Sequence, residues 1–143
     1  MKSYYEVKLI ESFIDDKGKQ KSASRRYILG VNEGTMTSVD EYIYREIGSK
    51  ISKIQSIREI TPDKILNLTD PRDDLSYYSC KVLYLEENDN TGKIKRVTRT
   101  SYVLATDITE VKEMMTKELK TCIDEYIITA VNKTNIQEIL IEK

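Results

Sequence analysis

Tyr77-Tyr78-Ser79-Cys80-Lys81-Val82 restates Tyr4-Tyr5-Glu6-Val7-Lys8-Leu9 at a spacing of 73. Thr91-Gly92-Lys93-Ile94-Lys95 restates Lys17-Gly18-Lys19-Gln20-Lys21 at 74, and Ser101-Tyr102-Val103-Leu104 is matched to Arg26-Tyr27-Ile28-Leu29 at 75. The spacing falls to 72 where Thr109-Glu110-Val111 meets Thr37-Ser38-Val39. It returns to 74 for Ile128 with Ile54, Val131 with Ile57, and Ile139-Leu140 with Ile65-Leu66. The slips fall where loops are expected, and loops tolerate changes of length. Order and polarity agree through five successive segments, which predicts a duplication. Two copies are too few for a solenoid, which needs about three or more to bury its faces, so one pseudo-symmetric domain is expected.

At 143 residues, 39% apolar and 33% charged, the chain has material for one core and a well-solvated surface. A net charge of −1 supplies no global field to recruit nucleic acid or an acidic membrane, so any such binding must come from a local patch. No apolar run is long enough for a membrane span. The strand pattern starts at Tyr4 with no signal-peptide pattern before it, so a cytoplasmic protein without a membrane partner is expected. Histidine is absent and the two cysteines, Cys80 and Cys122, are scattered, which argues against a zinc site and against Ser-His-Asp or Cys-His chemistry. The five glycines are dispersed and make no phosphate-binding loop. No cofactor is expected. Cys80 falls at the position of Val7, which predicts a small buried apolar side chain and no structural disulfide.

Along the chain, Tyr5, Val7 and Leu9 alternate with Glu6 and Lys8, the period of a half-buried strand. Asp15-Asp16-Lys17-Gly18-Lys19 reads as a turn, and Tyr27, Leu29 and Val31 resume the alternation. Asn32-Glu33-Gly34 breaks it. Thr37 or Ser38 then offers an N-cap, and Ser38-Val39-Asp40-Glu41 fits a capping box. Val39, Tyr42, Ile43 and Ile47 make one helical face ending at Gly48. Residues 51–60 give a third strand, so the unit reads β-β-α-β. The second copy follows the same order, with Val111, Met114, Met115 and Leu119 as the inward face of its helix. Both prolines, Pro62 and Pro71, and the acidic Asp70, Asp73 and Asp74 lie between the copies. The expected organisation is a first repeat over residues 1–66, a linker over 67–76 and a second repeat over 77–143. The expected class is α+β, with about six mainly antiparallel strands and two helices. Ile65, Leu66 and Leu68, and likewise Ile136, Ile139 and Leu140, are read as terminal turns. Two helices would cover one face of the sheet, leaving the other to solvent, a ligand or a second subunit.

Three sets of residues are candidates for function. The hairpins are locally basic. Residues 15–26 carry five basic against two acidic groups, including Lys19, Lys21, Arg25 and Arg26. Residues 86–99 carry four, Lys93, Lys95, Arg96 and Arg99, against three. Cations alternating along a strand can follow a phosphate backbone, although edge lysines also serve to deter aggregation. The outward rings of the aromatic pairs, Tyr4 and Tyr77, could stack a base, or sit as rim tyrosines with a wet hydroxyl. The carboxylates Glu46, Glu118, Asp70, Asp73 and Asp74 have no partner base or nucleophile at a recognisable spacing, so no enzymatic activity is expected.

The order Tyr-Tyr-x-x-Lys, Asp-x-Gly-Lys, Tyr-Ile-Leu, capped helix and closing strand, written twice, resembles a family of small uncharacterised proteins from Bacteroidetes and their crAss-like phages. The phrase Lys133-Thr134-Asn135-Ile136 near the end adds to the likeness. The resemblance spans nearly the whole chain. Its motifs are structural, so it assigns no site residues. It implies a phage-type accessory protein in the host cytoplasm. The leading expectation is a non-enzymatic protein that binds nucleic acid or a nucleotide through the basic hairpins and outward tyrosines. The rival is a protein-interaction module using the open sheet face. It would be an antagonist of host defence, acting on a host protein or sequestering a cyclic nucleotide signal, or an assembly factor. Self-association into a homo-oligomer fits either.

Overall fold

Alternation and helical spacing take shape in a computed structural model that describes residues 2–32 and 39–143, the side chain of Ser49 excepted. The break expected at Asn32-Glu33-Gly34, the cap expected at Thr37 or Ser38 and the start of the capping box fall on residues 33–38, outside the described residues. The chain forms two compact units, Met1–Thr61 with Asn135–Lys143, and Pro62–Thr134. Its class is α+β, and the described residues hold eight strands and two α-helices in two four-stranded sheets.

In the first unit, β1 (Lys2–Ile14) and β2 (Gln20–Asn32) pair antiparallel from Lys2 opposite Asn32 to Ile14 opposite Gln20. Alternation then sends Tyr5, Val7, Leu9, Tyr27, Leu29 and Val31 to one face. There they meet Tyr42 and Ile43 of α1 (Val39–Glu46) in one apolar cluster. Each fully buried aliphatic side chain of this kind contributes about 1.5–3 kcal/mol. A 3-10 turn (Gly48–Lys50) leads into β3 (Ile51–Ile60), antiparallel to β1. The ladder runs from Lys8 opposite Ser56 to Leu9 opposite Ile54, so Gln55 is an extra residue, a β-bulge. The fourth strand of this sheet comes from the far end of the chain.

The second unit holds β4 (Ile65–Leu66), β5 (Ser76–Glu87), β6 (Ile94–Ala105), α2 (Ile108–Glu118), a 3-10 turn (Leu119–Thr121) and β7 (Glu125–Lys133). Tyr78, Cys80, Val82, Tyr84, Val103 and Ala105 pack on Val111, Met115 and Leu119. The Asp107 side chain accepts the Glu110 N–H at 2.8 Å and caps α2. A bulge recurs at Thr129, between Lys81 opposite Ala130 and Val82 opposite Ile128.

Four expectations are corrected. The described residues hold eight strands, because two segments read as terminal turns are strands. β4 joins β6 in parallel, Ile65 opposite Tyr102 and Leu66 opposite Val103. β8 (Ile136–Ile141) joins β2 in parallel, Ile28 opposite Ile139 and Leu29 opposite Leu140. Short apolar runs carry no periodicity that separates strand from turn, and their partners are remote in sequence. Second, residues 62–66, expected to end the first repeat, are held in the second unit, where the Asp63 N–H reaches Thr100 O at 2.8 Å and the Tyr102 N–H reaches Lys64 O at 2.9 Å.

Third, the match of Tyr102 to Tyr27 is one residue out of register. Tyr27 stands opposite Val7, whereas Ser101 stands opposite Cys80, so Ser101 is the counterpart of Tyr27. A slip of one inverts every side chain's face, so aligning two tyrosines by identity put them on the same face when they lie on opposite ones. Fourth, the face away from the helix is not wholly open in either unit. Ile28 is 0% exposed and Leu104 8%, outside the helix-side clusters and within a single chain.

Candidate nucleic-acid interface

The ladder of β3 stops at Ile51 opposite Glu11, and β8 covers β2 only from Arg26 to Gly30. The rest of the β1–β2 hairpin is a two-stranded arm. Its turn is set by Asp15, whose Oδ1 accepts the Lys17 and Lys19 N–H groups at 2.9 Å, and by Gly18 at φ +78°. The β5–β6 hairpin ends alike. Asn88 Oδ1 accepts the Asn90 N–H at 2.9 Å, and Gly92 stands at φ +68°. β7 stops at Glu125 opposite Leu85, and β4 meets only Tyr102 and Val103.

The cations of the two arms differ in what they face. Lys21 pairs with Asp15 at 3.5 Å, Arg25 with Glu11 at 3.8 Å and Arg26 with Glu6 at 3.0 Å. Arg26 also donates to Asn135 Oδ1 at 2.6 Å. Glu6 is only 6% exposed and takes a second arginine, Arg58, at 3.0 Å. Burial alone would raise its pKa, but the hydrogen bonds and charges of Arg26 and Arg58 outweigh burial and hold the carboxyl below its usual range. Tyr27 donates its hydroxyl to Glu11, and burial together with that carboxylate pushes the phenol up. In the second arm Arg99 pairs with Glu86 at 3.3 Å. Lys19, Lys93, Lys95 and Arg96 are exposed and form no ion pair among the described residues.

Tyr4 and Tyr77 lie on the sheet faces away from the helices, and both are half-buried. The ring of Tyr4 passes over Gly30, where an added Cβ would stand 2.8 Å from its Cε1. Glycine is needed there for close approach, not for its backbone freedom. Beside Tyr77, its carbonyl accepts the Thr134 N–H at 2.9 Å and the Thr134 hydroxyl at 2.6 Å.

Two further features escaped sequence reasoning. Arg72 bridges Asp70 at 2.8 Å and Glu110 at 2.6 Å, fastening the segment before β5 to the start of α2. Its guanidinium keeps both carboxyls below their usual range. A cleft of about 300 Å³ in the second unit is lined by Asp63, Lys64, Tyr84, Arg99, Glu118 and Cys122 among others. Tyr84 donates to Asp63 Oδ2 at 2.8 Å, and Lys64 stands 4.0 Å from Glu118. Spacing along the chain gives no signal for either, because their members are brought together from segments remote in sequence. No group of three His, Cys, Asp or Glu side chains placed to hold a metal ion occurs among the described residues. No helix among them is long and apolar enough to cross a membrane.

A family model described as a domain of unknown function, DUF4494, matches residues 3–142. No curated protein and no solved structure matches the chain.

Proposed function

The chain belongs to the DUF4494 family, a domain of unknown function, and from its residues we propose a non-enzymatic accessory protein that binds the phosphates of nucleic acid. The observation that carries the reading is the β5–β6 arm, where Lys93, Lys95 and Arg96 are exposed and form no ion pair among the described residues. Lys19 on the β1–β2 arm has the same character. Lys21, Arg25, Arg26 and Arg99 contribute less, because each already faces a carboxylate. Half-burial of Tyr4 and Tyr77 favours phosphate binding over base stacking.

In this reading the two halves descend from one duplicated unit, and the protein acts in the cytoplasm as a phage-type factor. The matching bulges at Gln55 and Thr129 support the duplication. Binding of a labelled oligonucleotide, followed by anisotropy against salt, tests the assignment. Removing one cation from a phosphate flattens the log–log salt slope by about 0.9. Replacing Lys93, Lys95 and Arg96 with alanine should therefore reduce the slope by about 2–3. No binding at low salt, or a triple variant that binds as the parent does, would overturn the proposal.

A second reading rests on apolar exposure. Ile127, 55% exposed on the edge strand β7, stands opposite Leu83, and Ile94 is 66% exposed. That surface suits a protein partner. Ile127→Asp would abolish capture of such a partner and leave oligonucleotide binding unchanged.

A further inference from the structure

β8 completes a sheet whose other three strands lie within the first 60 residues, and only Thr134 and Asn135 separate it from β7 of the other unit. β4 does the converse for β6. At its N-terminal end β8 is fixed by Asn135, which accepts from Arg26 at 2.6 Å. At its C-terminal end Glu142 accepts the Asn32 N–H at 2.9 Å and pairs with Arg45 at 3.2 Å. Between these clamps Ile136 and Ile139 are buried, and Leu140 packs against the α1-side cluster. The outer edge of β2 is therefore a groove that recognises one strand by pattern, register and polar ends.

We propose that this groove also accepts β8 from a second copy of the chain, giving a dimer in which two molecules trade residues 136–141. The strand would make the same bonds within one chain and between two, so they do not favour either state. The balance lies with the hinge and with concentration. A short tether gives an effective concentration on the order of millimolar. The closed monomer therefore dominates at micromolar protein, and the exchanged dimer appears as protein approaches millimolar. Short hinges invite such exchange because they leave the tethered strand little freedom. Here the hinge is two residues long, and Thr134 is pinned to Tyr77 O. The proposal goes beyond nucleic-acid binding and does not depend on it.

The test uses the full chain carrying Asn32→Cys, Lys143→Cys and Cys122→Ser. The Asn32 side-chain amide donates to Lys143 O at 3.1 Å, so the new pair spans β2 and the end of β8. The protein is refolded at about 1 mM, and the dimer is isolated by size exclusion with light scattering and then oxidised. A tenth or more of the chains should be dimeric, and non-reducing electrophoresis should show them covalently joined. Protein refolded at about 1 µM should instead close the disulfide within single chains. Absence of a dimer at the high concentration would overturn the proposal. So would a dimer whose disulfides all close within single chains, since it would be built on another surface.

Discussion

The two units share one ladder pattern and differ in what occupies the face away from the helix. In the first, Glu6 sits between Arg26 and Arg58. The ladders place Ser79, Thr100 and Asn132 at the corresponding points of the second. The same backbone thus forms with an ion triad around a buried carboxylate and with short neutral side chains. A buried carboxylate between two arginines must overcome the loss of hydration before it stabilises anything, so the architecture does not depend on it. The triad also engages a cation that sequence alone would count toward a ligand. Charge legible in the chain and charge available at the surface are different quantities, and the second unit keeps more of its arm charge free.

The comparison is tested hardest where the units should agree. Ile43→Ala and Met115→Ala empty matching, fully buried positions on the two helices. Each should lower stability to denaturant by about 3 kcal/mol. Hydrogen exchange should place each loss in its own unit. A loss below about 1 kcal/mol at either site would break the equivalence of the helices.

Where the units should differ, Glu6→Ala leaves Arg26 short of its partner and should cost about 2 kcal/mol. Ser79→Ala should cost less than about 0.5 kcal/mol. The same triad sets a pH dependence. The folded pKa of Glu6 lies below the ordinary glutamate value of 4.5. The unfolded chain therefore binds the proton first, and stability rises with pH through this range. The contribution of Glu6 is complete above the unfolded value and is lost as pH falls through the lower folded one. Glu6→Gln should flatten acid unfolding of the first unit below about pH 4.5 while leaving the second unchanged.

Smaller effects sharpen the picture. Asp107→Ala removes the cap of α2 and should cost about 1 kcal/mol, confined to the second unit. Gly18→Ala and Gly92→Ala force a Cβ into the left-handed region at turns of the same design. They should cost nearly the same, about 1 kcal/mol each. A difference of more than about 1 kcal/mol between them would show that the turns are not equivalent.

Much of this was legible from spacing. Tyr5, Val7 and Leu9 declared a strand, Tyr42 and Ile43 a helix face, and Met114 and Met115 their counterparts. Local alternation cannot say which edge a short run such as Ile65-Leu66 will join, because that depends on strands far along the chain. Nor does residue identity fix register, as Tyr27 and Tyr102 demonstrate. The arm cations were visible, but their neutralisation was not. Glu6 meets Arg26 and Arg58 only once three strands are in register. The Asp63–Tyr84 hydrogen bond likewise waits on the pairing of β4 with β6.

The parallel pairing of Leu29 with Leu140 has a consequence for synthesis. β2 leaves the ribosome more than a hundred residues before the strand that covers its edge. At roughly 10 residues per second, that edge stays bare for about 10 s. During that interval the nascent first unit carries an unpaired β-edge next to Ile28, and a chaperone or a neighbouring nascent chain would find it there.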